Sequence, residues 1–233
     1  MNFSIASTDG FLFFLRWVHF FAGIIWIGLL YYFNFIQGEF FKEIDAGVKN
    51  IAFSKLVSRA IDWFRYAALW TWISGVLLII GTVHTGVPLA SSWGVLILIG
   101  GLLGTCMFLN VWGIIWPNQK ALIASANAVL GGGQAIPDAA ARGAKALLAS
   151  RTNVLFSIPL LFFMGAARHL ILDRDFSQVS FGLVSAVIGG LILVLELNAI
   201  KGKLGPMTTV RGVIHSGVGL SVVLYVLVEV LTK

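Results

Sequence analysis

Six apolar stretches dominate the pattern of the chain, at Phe11–Phe35, Tyr66–Val83, Trp93–Trp116, Val154–Leu172, Val179–Ile200 and Thr209–Leu231. A hydrocarbon core about 30 Å thick takes roughly 20 helical residues, so each stretch is long enough to cross a bilayer once. None alternates with the two-residue period of a barrel strand. The pattern therefore predicts an all-α, polytopic integral membrane bundle of about six transmembrane helices, forming one domain over residues 1–233, with short interfacial or cytoplasmic helices between them.

The connections differ in kind. Gln37–Arg65 mixes charge with Ile44, Val48, Ile51, Phe53, Leu56 and Val57, which predicts an amphipathic segment lying on the membrane surface. Pro117 is expected to stop the third helix. An Ala-rich stretch follows, Gly131–Gly133 breaks it, and Pro137 with Asp138 opens a second Ala-rich helix, so two short cytoplasmic helices are expected here. Thr85–Ser92 and Asp173–Gln178 have room only for tight turns. The long connections hold twelve of the sixteen Lys and Arg, which by the positive-inside rule places them in the cytoplasm. Both termini then face the periplasm of a bacterial inner membrane. The opening MNFSIASTDG lacks a basic n-region and a cleavage site, so the first apolar run is expected to stay as a helix.

Composition supports the same picture, with 58% hydrophobic and 11% charged residues. The formal charge of +6 is explained by the loops and does not point to nucleic acid. Cys106 is the single cysteine, so there is neither a CxxC metal clip nor a CxxCH attachment for c-type haem. Gly100, Gly101, Gly104, Gly189 and Gly190 lie inside apolar runs and predict close helix packing. Nothing resembles a hydrolase triad or a nucleotide-binding loop.

The candidate chemistry lies in polar residues at membrane depth, where each is costly. His19 sits two turns inside the first span, close to Arg16, on a stripe that continues through Gly23 and Trp26. His169 ends the fourth span beside Arg168. On the orientation above both histidines fall in the outer half of the bilayer, with His84, a lesser candidate, at the end of span two. Two imidazoles from different helices at matching depth are what a six-coordinate b-type haem needs, and Arg16 and Arg168 could hold its propionates. Helix-to-helix hydrogen bonding by the histidines and snorkelling by the arginines would explain the same residues. His215, Glu196 and Asn110 fall at one level in the cytoplasmic half, as a second polar site or as a network that fixes helix order.

Four stretches, RWVHFFAGIIWIGLLYYFNF at Arg16–Phe35, FRYAALWTWISG at Phe64–Gly75, WGIIWPNQKALI at Trp112–Ile123 and SRTNVLFSIPLLFFMGAARH at Ser150–His169, together resemble the N-terminal membrane domain of the bacterial membrane-bound urate oxidases. The resemblance implies a membrane protein with redox associations and, for full-length members, oxidation of urate to 5-hydroxyisourate. Full-length members carry a C-terminal cytochrome c domain; without a CxxCH, this chain is expected to use a separate cytochrome or another acceptor. By motif position the resemblance carries over His19 and His169 as candidate haem or active-site groups, and Asn118, Gln119, Lys120, Arg151 and Asn153 as a polar cluster on two loop-flanking connections.

The leading expectation is a redox protein that binds b-type haem through His19 and His169. It would pass electrons from a small substrate, a purine such as urate, to a partner cytochrome c or a quinone. The alternatives are a haem-free transporter or channel-like protein built on the Glu196 level, and an accessory subunit of a respiratory complex.

Overall fold

The computed structural model describes residues 6–233; residues 1–5, which open the stretch read for a leader, lie outside the described residues. Six long helices account for the six apolar stretches: α1 (Thr8–Glu43), α2 (Ala46–His84), α3 (Ser92–Leu130), α4 (Ala139–His169), α5 (Phe181–Lys201) and α6 (Val210–Leu231). No strand occurs among the described residues. Side-chain caps set the starts: Ser91 accepts from the Gly94 amide at 3.2 Å and Thr209 from the Gly212 amide at 3.0 Å. Successive helices run in opposite directions, so the bundle has a terminal end, where α1 starts and α6 stops, and a basic end, where most Lys and Arg fall.

At the basic end the helices run further than hydropathy alone predicts. α1, α2 and α3 have 36, 39 and 39 residues, against the roughly 20 that a bilayer needs. The stretch expected as an amphipathic surface segment forms the end of α1 and the start of α2, parted by extended backbone at Ile44 and Asp45. The two short Ala-rich helices are likewise continuations of α3 and α4, which pack on each other: Leu122 lies against Gly143, and the Ile136 amide donates to Ser125 Oγ at 3.0 Å. Of the apolar side chains in the Gln37–Arg65 stretch Val57 is buried, whereas Val48, Ile51 and Leu56 are exposed, so this part of the basic end keeps an apolar surface. The break at Gly131–Gly133 is where the sequence places it, and Gly132, with φ at 83°, occupies a conformation that suits glycine alone.

Pro117 does not end α3. Directly upstream, Val111–Ile115 widens into a π-helical turn, and the Trp116 amide reaches back to the Val111 carbonyl. Proline lacks an N–H and its ring crowds the carbonyl four residues back in a regular helix, so it is best tolerated where a helical segment begins. The π turn creates such a beginning within a continuous helix. Similar turns lie at Tyr32–Gln37 in α1, Phe53–Val57 in α2 and Ser185–Gly189 in α5.

α4 is central. It packs along α3 and α6 and touches α5 and the basic half of α1, while α1 packs chiefly along α2. Leu96, Leu103, Met107, Phe156, Phe163 and Leu224 fill the contacts. Small residues set the approach: a Cβ on Gly104 would stand 3.2 Å from Leu160, one on Gly100 2.9 Å from Met164, and one on Gly217 would collide with Ile158. The opposite faces present Phe20, Ile24, Leu193, Val194 and Leu197 outward, as a lipid-facing surface requires.

Candidate functional site

His19 is the most defined of the sequence-predicted groups. Its stripe faces α2, and Nδ1 lies 2.9 Å from the Thr71 carbonyl and 3.2 Å from Ser74 Oγ. A carbonyl can only accept, so the ring proton belongs on Nδ1 and the Nε2 lone pair is left unengaged. Glycine at position 75 makes this possible, because a Cβ there would stand 3.0 Å from His19 Cε1. The Ser74 hydroxyl is itself tied back to the Trp70 carbonyl at 2.6 Å. The imidazole is therefore held from one side and offers one nitrogen. Arg16, one turn nearer the terminal end, is exposed.

His169 is held less firmly. It is exposed at the last turn of α4 next to exposed Arg168, and neither makes a hydrogen bond or ion pair among the described residues. The levels of the two histidines agree: Tyr31 and Ser157 bond at 3.0 Å, with His19 twelve residues before the one and His169 twelve after the other on antiparallel helices, or about 18 Å along each. No hydrogen bond joins them, and the bonds that link α1 to α4, Tyr31–Ser157 and Asn34–Ser150, both lie nearer the basic end. His84 is exposed at the end of α2. No group of three or more His, Cys, Asp or Glu is gathered as a metal site among the described residues.

The second polar level is built from different members than the sequence suggests. Asn110 Nδ2 donates to Glu196 Oε2 at 3.1 Å and to Asn153 Oδ1 at 2.9 Å, and Asn153 Nδ2 donates to the Met107 carbonyl at 3.0 Å. α3, α4 and α5 are thus joined through two fully buried amides and one half-buried carboxylate. His215 is not part of it. The buried face of α6 runs through Val213, Gly217, Leu220, Ser221, Leu224 and Val228, and His215 points away from that face and is exposed.

The motif cluster of Asn118, Gln119, Lys120, Arg151 and Asn153 also divides. All five lie within helices, and none bonds to another: Asn118 Nδ2 donates to the Ile114 carbonyl of its own helix, Lys120 is exposed, and Asn153 serves the Asn110 network. Arg151 is buried at 4% exposure and makes no hydrogen bond among the described residues. Its sequence neighbour Ser150 accepts from Asn34 Nδ2 at 2.7 Å. Asn34 and Gln37, both buried on the π turn of α1, are polar residues that the sequence reading passed over. The signal was present in a stretch where two amides interrupt an otherwise aromatic and aliphatic run.

At the same end Arg65 forms a cation–π cluster, with Cζ 3.8 Å from the Trp116 ring centroid and 4.5 Å from that of Tyr66. Trp116, well inside α3, therefore holds a cation. At the terminal end Arg174 binds Glu229 at 2.8 Å, and Tyr225 donates to the same carboxylate at 2.6 Å, which ties the α4–α5 connection to α6.

Residues 84–194 match the family model of the urate oxidase N-terminal domain. The match agrees with the family resemblance of the sequence and covers α3, α4 and most of α5, with Asn110, Arg151, Asn153 and His169 inside it. Two of the four resembling stretches, at Trp112–Ile123 and Ser150–His169, fall within the matched range, whereas His19 precedes it and Glu196 follows it. No curated protein and no solved structure matches the chain.

Proposed function

We propose that this chain is a membrane redox protein of the urate oxidase N-terminal type, in which His19 provides an axial imidazole to a b-type haem. The observation that carries the reading is the setting of His19: Nδ1 is fixed on the Thr71 carbonyl, Gly75 makes room for the ring, and Nε2 is unengaged. Metal-binding histidines are oriented in this way, with the second nitrogen bonded to a carbonyl. His169, at the matching level, is the candidate for the second imidazole, and exposed Arg16 and Arg168 are cations of suitable reach for propionates. The chemistry that haem supplies when bound is one-electron transfer at a potential set by its ligands and its burial.

The substrate in this reading is a purine of the urate kind. Urate and water give 5-hydroxyisourate, two protons and two electrons, and the electrons leave to a separate cytochrome c or a quinone. The proposed setting is a bacterial inner membrane with the basic end in the cytoplasm. Anaerobic addition of urate to the oxidised, purified protein is the test. Growth of the reduced b-type band supports the reading; a haem-containing protein that dithionite reduces and urate does not would remove urate as the electron donor.

A second reading, a haem-free transporter, draws on Glu196, a carboxylate within a spanning helix that bonds to a buried amide. Uptake into proteoliposomes that Glu196→Gln abolishes would favour it, and no uptake above empty vesicles would count against it.

A further inference from the structure

Three polar side chains with buried, unpartnered atoms lie where α1 crosses α4 at the basic end. Arg151 is 4% exposed, donates no hydrogen bond among the described residues, and has Nη1 wholly buried. The acid whose charge reaches it, Glu39, is itself partly exposed and holds Lys42 at 2.7 Å. A guanidinium enclosed without a bonded counter-ion is costly, and binding an anion relieves that cost. Beside it, the Ser150–Asn34 bond of 2.7 Å ties the two helices together, while Asn34 Oδ1 is buried with no donor. Gln37 Oε1, one turn further along the π segment, is buried and equally without a donor.

We propose that Arg151, Asn34 and Gln37 form a binding site for a small planar anion. Its charged edge would accept from the guanidinium, and its neighbouring N–H groups would donate to the two amide oxygens. A deprotonated oxopurine has that pattern of hydrogen bonds. A phosphodiester head group offers acceptors only and would leave both amide oxygens unmet. Asn34 stands fifteen residues from His19, about 22 Å along α1, so the site recognises the anion at the basic end and does not hold it against His19. The identity of the anion rests on the redox reading above; the presence of the site does not.

The test is equilibrium dialysis of the purified full chain with radiolabelled urate. Arg151→Gln should weaken binding at least tenfold with unchanged haem content and melting temperature, Arg151→Lys should recover part of it, and equimolar inorganic phosphate should not compete. Wild-type affinity in Arg151→Gln overturns the proposal. Should that variant fail to fold, Gln37→Leu decides: a several-fold loss supports the site, and unchanged affinity overturns it. Phosphatidylglycerol retained by wild type in native mass spectrometry and lost with Arg151, together with no urate binding, overturns it in favour of a lipid site. A haem-containing wild type that binds no urate overturns this inference and leaves haem ligation standing. Arg151-dependent urate binding by a haem-free protein supports the site and ends the haem reading.

Discussion

The helix pairs α1–α2 and α3–α4 are both long apolar hairpins, yet they handle polar side chains in opposite ways. Across their most apolar windows α3 and α4 are 61% buried, against 22% for α1 and α2. Within the buried pair, Asn110 donates to Asn153 and Glu196 and Asn153 donates to the Met107 carbonyl, so every amide N–H donor group is used to join helices and only Asn110 Oδ1 is left without a donor. On the more open pair, His19 is fixed through one nitrogen while the other is left free. The contrast separates a polar network that joins helices from an imidazole bonded through one nitrogen only. Arg151, Asn34 and Gln37 lie at the seam between the pairs, buried like the first kind and unsatisfied like the second.

Substitutions can break or sharpen this contrast. The largest loss of stability should follow Asn153→Leu, which removes two buried hydrogen bonds at once, from Asn110 and to the Met107 carbonyl; each is worth about 0.5–1.5 kcal/mol, read as a drop in melting temperature in detergent. An equally stable variant would mean that the network does not hold α3 to α4. Gly75→Val, on the other pair, should cost less stability and more haem, because its side chain enters the space of the His19 ring; haem per chain measures it, and full occupancy would show that the ring position is unimportant. Tyr31→Phe removes a single bond to Ser157 and should cost about 0.5–1.5 kcal/mol, which double-mutant cycles with Ser157→Ala would assign to that pair. His215→Ala should lie within about 0.5 kcal/mol of wild type, as surface changes usually do. A larger effect, or an altered phenotype of Glu196→Gln, would return His215 to the Asn110 level.

The six spans were legible because twenty apolar residues in a row have few other uses, and the glycines of tight packing stood out within them. The helical extensions were not, because an amphipathic pattern at the basic end reads alike whether its apolar face meets lipid or another helix. Pro117 was misleading for a related reason: its usual effect assumes a regular helix, and the π turn at Val111–Ile115 changes the register without changing the hydropathy. His19 could be read from its stripe of Gly23 and Trp26, and Asn110 with Glu196 from their depth. His215 could have been set aside by counting helical phase from Gly217 and Leu224. Asn153 and Arg151 were singled out by motif but assigned to connections, since only the packing of α4 shows that one serves a network and the other serves no protein group.

The most direct test is haem per chain in the purified protein, from the pyridine haemochrome, for wild type and His19→Ala side by side. The account predicts a b-type signal near one haem per wild-type chain and its loss in His19→Ala, with the variant still folded and in the membrane. A wild type that stays colourless after reconstitution with excess haem, or a His19→Ala variant that retains the full spectrum, would contradict it.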